Sequence, residues 1–443
     1  MALLAVSNPK GIGLNQSDRQ DISPDQLRPG QYVELDLKWF EHPFAFSHFR
    51  IKTQEQIDRI RELGLTTVRI NPRLGDGAAE PAPNAASKPG SAPPPQRAGE
   101  PGLPTVMQAK RVLIEQMKAR RDDAQRVENA FVNSVKVIRD IERDLYRRPQ
   151  QTVQQAAQLI EQIADSILNA PELAIQVMGD KLSGEEQYFH SLNVTVLSIM
   201  MARDLKLPIE LAGVLGVGAL LHDIGRKEVP DKILLKTEPL TQAERHFYER
   251  HCQFGVDIAQ RLNLAPAAIS IIREHHELFD GSGFPAKLRG EAIAPLARIV
   301  VIANYYDELC NPVQLADALT PHEALSLMFA KLRSKFDPRL LQTLIRCLGV
   351  YPPGTIVQLS NGAIGLVVTV NTRKPMKPTI MVFDAAIPKE EAMVLDMDHE
   401  TEFNIAKAIR PNQVPRDVYN YLSPRKRISY YFDASTAQRE ANP

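Results

Sequence analysis

The sequence predicts a mainly α-helical protein with a small α+β unit at its N-terminal end and a small β-rich tail. Three patterns lead there. Between residues 105 and 350 apolar residues recur at helical steps, as in Leu113, Met117, Ala124, Val127, Phe131, Val135, Ile138 and Leu145, spaced by three, four and seven. Ahead of them, residues 31–37 alternate polar and apolar side chains, as a half-buried strand does. Behind them, residues 354–359 and 364–370 read as strands joined through Ser360-Asn361-Gly362. Asn-Gly is a strong hairpin signal because the tight turn between two strands needs positive φ at its centre.

Taken in order, residues 1–20 are polar with scattered glycine and are expected to form a disordered lead. The α+β unit covers residues 21–74: a turn at Leu27-Arg28-Pro29-Gly30, a helix from Thr53 to Leu63 that Gly64 is placed to stop, and a strand over residues 66–70. It carries the only tryptophan, Trp39, and no catalytic constellation, so a docking or sensing role is expected of it. Residues 75–104, rich in Pro, Ala, Gly and Ser, cannot bury enough apolar surface to fold and read as a linker. A helical connector follows over 105–180. Its stripe from Leu113 to Leu145 suits a coiled-coil homodimer or a helix packed on the next domain, and Arg120-Arg121-Asp122-Asp123 interrupts the seam. Further helices are expected at 153–167 and 171–178. The main domain spans 181–350, the β-rich tail 351–405 with a third strand at 379–383, and a C-terminal extension 406–443, whose last twenty or so residues are polar and expected to be loosely held.

With 53 basic and 53 acidic residues the formal charge is zero, which gives no bias toward a nucleic acid polymer or an anionic membrane. No run of 18 apolar residues is present, and residues 1–7 lack an apolar core long enough for secretion, so a cytoplasmic location is expected. Cys252, Cys310 and Cys347 lie far apart without a C-x-x-C pair, which argues against a disulfide framework or a thiolate zinc site.

The chemistry concentrates in two stretches. Glu274-His275-His276-Glu277 runs into Asp280-Gly281-Ser282-Gly283-Phe284-Pro285, and His222-Asp223 closes the apolar run from Val214 to Leu221. Paired histidines beside acids and a glycine turn suggest a metal site, and an aspartate at the end of a buried helix costs free energy unless something compensates it. His246 and His322 stand alone and are set aside as surface or packed residues. Gly213, Gly216 and Gly218 lack the Lys-Ser/Thr sequel of a phosphate loop and are expected to serve close helix packing.

The ordered series Glu186, His190, His222-Asp223-Ile224-Gly225, Leu240-Thr241, Glu244, His251, His275-His276-Glu277 and Asp280 to Pro285 resembles the HD-GYP family. These are HD phosphohydrolases that typically hydrolyse cyclic di-GMP. The similarity covers about residues 185–338, and the N-terminal unit resembles a domain that often accompanies the family. The resemblance implies an HD-type helical bundle and two, or with Glu186 three, divalent transition metal ions. Iron or manganese is the first expectation, with nickel or zinc as alternatives. His190, His222 and Asp223 would belong to the first metal, His251, His275 and His276 would complete the second, and Asp223 would bridge; His222 and Asp223 are the implied catalytic pair. Two cations about 4 Å apart acidify water and clamp the attacked phosphate. Arg226, Lys236, Asp280, Gly281, Gly283, Phe284 and Pro285 are the implied substrate contacts.

The chain departs from the family in four places. Asn304 stands where an aspartate ligand is usual, with Asp307 one helical turn on as a possible substitute. Residues 310–314 lack the usual phosphate-binding arginine, Gly225-Arg226 replaces Gly-Lys, and Gly283-Phe284-Pro285 replaces Gly-Tyr-Pro. The expected function is metal-dependent hydrolysis of cyclic di-GMP to pGpG or GMP in second-messenger signalling. The alternative is a catalytically degenerate module that binds metal or nucleotide and signals to a protein partner through the N-terminal unit.

Overall fold

The structure is a computed structural model that describes residues 19–72, 133–168 and 186–422, apart from short breaks inside the first and last of these stretches. Trp39, the linker at 75–104, the first half of the connector stripe, the expected helix at 171–178 and the polar end beyond residue 422 lie outside the described residues. The chain divides into two compact units, Met1–Met117 and Lys118–Pro443.

In the first unit, β1 (Gln20–Ile22), β2 (Tyr32–Glu34), β3 (His48–Arg50) and β4 (Val68–Ile70) form an antiparallel sheet in the order β1-β4-β2-β3, accompanied by helix α1 (Gln54–Glu62). Thr53 caps α1 by accepting from Gln56 N, and Gly64 ends it at φ +69°, a backbone value that costs glycine nothing. Val33, Ile51, Ile57, Ile60, Val68 and Ile70 are buried between helix and sheet. Strands β1 and β3 lie outside the two strands read from the sequence, at 31–37 and 66–70.

The second unit is the helical bundle. Helix α2 (residues 133–144) and α3 (Pro149–Leu168) bury Val135, Ile138, Ile141, Leu145, Ile160, Ile163 and Ile167 in the same core as α4 (Glu186–Asp204) and α5 (Ile209–Leu220). The described half of the connector stripe is therefore used in packing on this domain. Residues 191–202 of α4 are buried without a break, so this helix runs through the centre. Gly216 and Gly218 let α5 approach its neighbours closely: an added Cβ would lie 2.5 Å from Ile160 and 2.5 Å from Ile271 respectively. Gly213 differs from the expectation, since open space surrounds the same position there.

The bundle continues through α6 (Asp231–Leu234), α7 (Gln242–Glu249), α8 (His251–Arg261), α9 (Pro266–Glu274), α10 (Pro295–Cys310), α11 (Pro321–Ala330) and α12 (Pro338–Leu348). Prolines open α9, α10, α11 and α12, where their missing N–H removes no helical bond. A five-stranded antiparallel sheet follows, built from β5 (Ile356–Leu359), β6 (Ile364–Thr369), β7 (Thr379–Val382), β8 (Met393–Asp396) and β9 (Ile405–Ile409) in the order β8-β7-β6-β5-β9, with α13 (Arg416–Leu422) beside it. The Asn361-Gly362 turn joins β5 to β6 as expected, with Gly362 at φ +90°. Arg410 Nε donates to Glu323 Oε1 at 2.5 Å and ties the sheet to α11. The three cysteines are buried and free. Among the described residues no helix is long and apolar enough to cross a membrane.

Candidate metal centre

Three helix ends aim the histidines. The last carbonyls of a helix have no partner inside it, and here an imidazole takes one at each of three ends. His222 Nδ1 donates to Ala219 O of α5 at 2.7 Å, His251 Nδ1 to Tyr248 O of α7 at 2.7 Å, and His275 Nδ1 to Ile272 O of α9 at 2.8 Å. A carbonyl oxygen can only accept, so each Nδ1 carries the proton and each Nε2 presents a bare lone pair. His190, on α4, is oriented instead by a side chain, Nδ1 donating to Asp307 Oδ2 at 2.7 Å.

The Nε2 atoms converge. His251 Nε2 lies 3.2 Å from His275 Nε2, and His222 Nε2 lies 3.3 Å from His190 Nε2. Asp223 sits between the two pairs: its Oδ1 is 3.5 Å from both His251 and His275 Nε2, and its Oδ2 is 3.7 Å from His222 Nε2 and 4.0 Å from His190 Nε2. Two groups capable of holding a metal ion result, Asp223-His251-His275-His276 and His190-His222-Asp223, sharing one carboxylate.

The donors fit a cation. Asp223 Oδ1 and His276 Nε2 are buried without a hydrogen-bond partner, a costly condition that a divalent ion relieves. Burial pushes the His222 pKa down to about 3, that of His251 down to about 4, and that of His276 well below the usual value, so these imidazoles are free of the proton that would compete with a metal. For Asp223, burial works upward, but the Arg226 guanidinium at 2.9 Å and the surrounding imidazoles hold its carboxyl well below the usual carboxylate range. Burial would also lower His190, yet the Asp307 bond and the Asp307 and Asp223 charges outweigh it and hold that imidazole up at about 9. Five imidazoles around an ionised aspartate suit transition metals such as iron, manganese, nickel or zinc.

Helix α10 supplies the wall beside His190. Asp307 is fully buried and engaged at both oxygens, Oδ2 by His190 and Oδ1 by Asn193 Nδ2 and Asn311 Nδ2, each at 2.8 Å. With both oxygens engaged it holds the His190 ring and has none free to stand in for the aspartate absent at 304, the alternative left open for it from the sequence. Asn304 is buried, donates its Nδ2 to Glu308 Oε1 at 3.1 Å, and leaves Oδ1 unpartnered. Glu308 was not among the residues expected from the sequence. Its side chain is exposed, yet desolvation of the carboxyl raises its pKa, and His190 opposes that rise.

The glycine turn closes the other side. The Phe284 ring stacks on His276 with centroids 4.5 Å apart. Gly283 packs so tightly that a Cβ would meet Leu278 N at 2.3 Å and His276 O at 2.4 Å, and Gly281 takes φ +80°. Asp280 accepts from Ser282 N and Oγ, so it shapes the turn, while Glu277 accepts from Ala286 and Leu288 N and fixes the chain just past Pro285. Arg226 is bound to Asp223, and Lys236 pairs with Glu244 at 2.6 Å within the Thr241 capping box. Glu186 is the first residue of α4; its side chain lies outside the described atoms. Tyr248, also unforeseen, packs its ring 4.9 Å from that of His251.

A helical bundle that gathers histidines around one His-Asp pair is the architecture of the HD class. Residues 173–340 match an HD domain, residues 19–156 a domain of unknown function (DUF3391), and residues 356–416 a KOW domain associated with HD domains. A cyclic di-GMP phosphodiesterase of Pseudomonas aeruginosa is 31% identical over 378 residues, covering 83% of this chain and 86% of that protein. A cyclic di-GMP phosphodiesterase response regulator of Xanthomonas campestris is 36% identical over 150 residues, 33% of this chain and 39% of that protein. A 3′3′-cGAMP-specific phosphodiesterase of Vibrio cholerae is 34% identical over 127 residues, 28% and 24% of the two chains. The chain belongs to the HD-GYP family. Its relatives support a phosphodiesterase role.

Proposed function

We propose that this chain is a metal-dependent phosphodiesterase that hydrolyses cyclic di-GMP, adding one water across one phosphodiester to give linear pGpG, or a second to give GMP. The observation that carries the reading is Asp223, whose two oxygens face two separate sets of histidine nitrogens. His190 and His222 would hold one divalent ion with Asp223, and His251, His275 and His276 the other. Such ions acidify water and offset charge on the phosphoryl oxygens. The chain's own part is orientation. Helix-end carbonyls hold the imidazoles, Arg226 offers positive charge beside Asp223, and Phe284 on His276 gives a flat apolar wall on which a guanine can stack. The location that goes with this reading is the cytoplasm. The N-terminal unit would take a protein partner.

Purified protein assayed together for transition metal and for cyclic di-GMP turnover, with 3′3′-cGAMP in parallel, tests this. The expected result is bound metal and release of pGpG or GMP, both lost in the His222→Ala, Asp223→Ala double variant. Cyclic di-GMP bound with no turnover in the metal-loaded protein would replace the enzyme with a binding module.

A further inference from the structure

We propose that Glu308 is a ligand of the metal held by His190, His222 and Asp223, supplying with the Asn304 side-chain carbonyl the anionic donor that an asparagine at 304 lacks. This rests on the metal-dependent reading above.

Asn304, Asp307 and Glu308 share one face of α10, being three and four residues apart. Asp307 has no oxygen to give, since His190, Asn193 and Asn311 occupy both. Glu308 has one. Its Oε1 accepts from Asn304 Nδ2, and among the described residues Oε2 makes no hydrogen bond. The same contact fixes the amide: a carboxylate can only accept, so Nδ2 faces Glu308 and Oδ1 turns elsewhere, where it is buried without a partner. A neutral carbonyl oxygen and a carboxylate oxygen, neither bonded to a donor among the described residues, are groups that a divalent cation takes.

The surroundings point the same way. Asp307, the residue just before Glu308, bonds His190, and Glu308 is itself bonded to Asn304 one turn back; the Glu308 carboxylate stands outside the two tight groups, so its side chain has to turn to reach the ion. Glu308 is also the exposed one of the pair, and its extra methylene gives it room to swing. Two divalent ions bring four positive charges, and among the ligands described above only Asp223 is anionic. A second carboxylate at this position restores the charge that asparagine removes, and moves it one helical turn along α10.

Manganese titrated into the metal-stripped full chain tests this without relying on turnover. Wild type is expected to bind two ions. Glu308→Gln keeps an acceptor for Asn304 Nδ2 and nearly the same shape but has no charge, so it should weaken one of the two sites at least tenfold, a size typical for disturbing a metal's ligand shell, and leave the other. Asn304→Asp added to Glu308→Gln should recover it. Thermal melting confirms that each variant is folded. Unchanged affinity in Glu308→Gln would overturn the proposal, as would a loss seen only in Glu308→Ala, which would mark Glu308 as a support for the Asn304 amide. Should wild type bind no manganese, iron, nickel or zinc, the metal reading itself falls and this inference with it.

Discussion

Asp307 Oδ2 accepts from His190 Nδ1 at 2.7 Å while its Oδ1 holds Asn193 and Asn311, so one buried carboxylate fastens α4 to α10 and points His190 at its partners. Asp307→Asn is expected to lower affinity for one metal by about 10–100-fold, because the partner that sets a ligand's tautomer is worth that much. Manganese titration against wild type checks it. Affinity equal to wild type would mean that His190 is aimed by its helix alone.

Gly225 and Gly213 should respond oppositely to alanine. A Cβ at Gly225 would lie 2.0 Å from His251 O and 2.4 Å from Gly255 N, both backbone atoms that cannot yield without moving His251. Gly225→Ala should cost about 3 kcal/mol or more and lower metal content. Gly213→Ala, with open space in mid-helix, should gain about 0.5–1 kcal/mol. Thermal and denaturant melts decide between the two signs.

A chain starting at residue 105 is expected to fold with its metals, whereas one starting at residue 181 is not. The shorter one lacks Val135, Ile138, Ile141, Ile160, Ile163 and Ile167, which are buried against α4 and α5, and each such side chain contributes about 1.5–3 kcal/mol. A cooperative melt from the chain starting at 181 would show that the bundle closes without α2 and α3.

Glu323 gives a pH dependence of known sign. Burial works upward on its carboxyl, but the Arg410 and Thr320 bonds outweigh it and hold the folded value below the usual 4.5. A depressed carboxylate contributes stability that is fully present above its unfolded pKa and is lost as pH falls through the folded one. The melting temperature of Glu323→Gln should therefore lie below wild type at pH 7 and approach it below about pH 4. The difference should be small because Arg410 is half exposed.

The bundle and the histidine set were legible because long helices repeat their apolar spacing and because His222-Asp223 and His275-His276 stand in a chain with only ten histidines. What escaped was short or relational. β8 and β9 are four and five residues long and were passed over beside the Asn361-Gly362 hairpin. The role of Asp307 depends on His190, 117 residues away, and no local pattern reports that. Glu308 carried one readable signal, its four-residue step from Asn304, which the attention given to Asp307 hid.

Three of the four imidazoles held at Nδ1 rely for their aim on a main-chain oxygen of the helix just before them. No point substitution can delete a carbonyl. Their orientation thus depends on no partner side chain, and the residues around the site can change, tyrosine for Phe284 or lysine for Arg226, without removing the group that aims those nitrogens. His190 alone is mortgaged to another side chain, so among the four it is the one whose aim a single partner substitution, at Asp307, can remove.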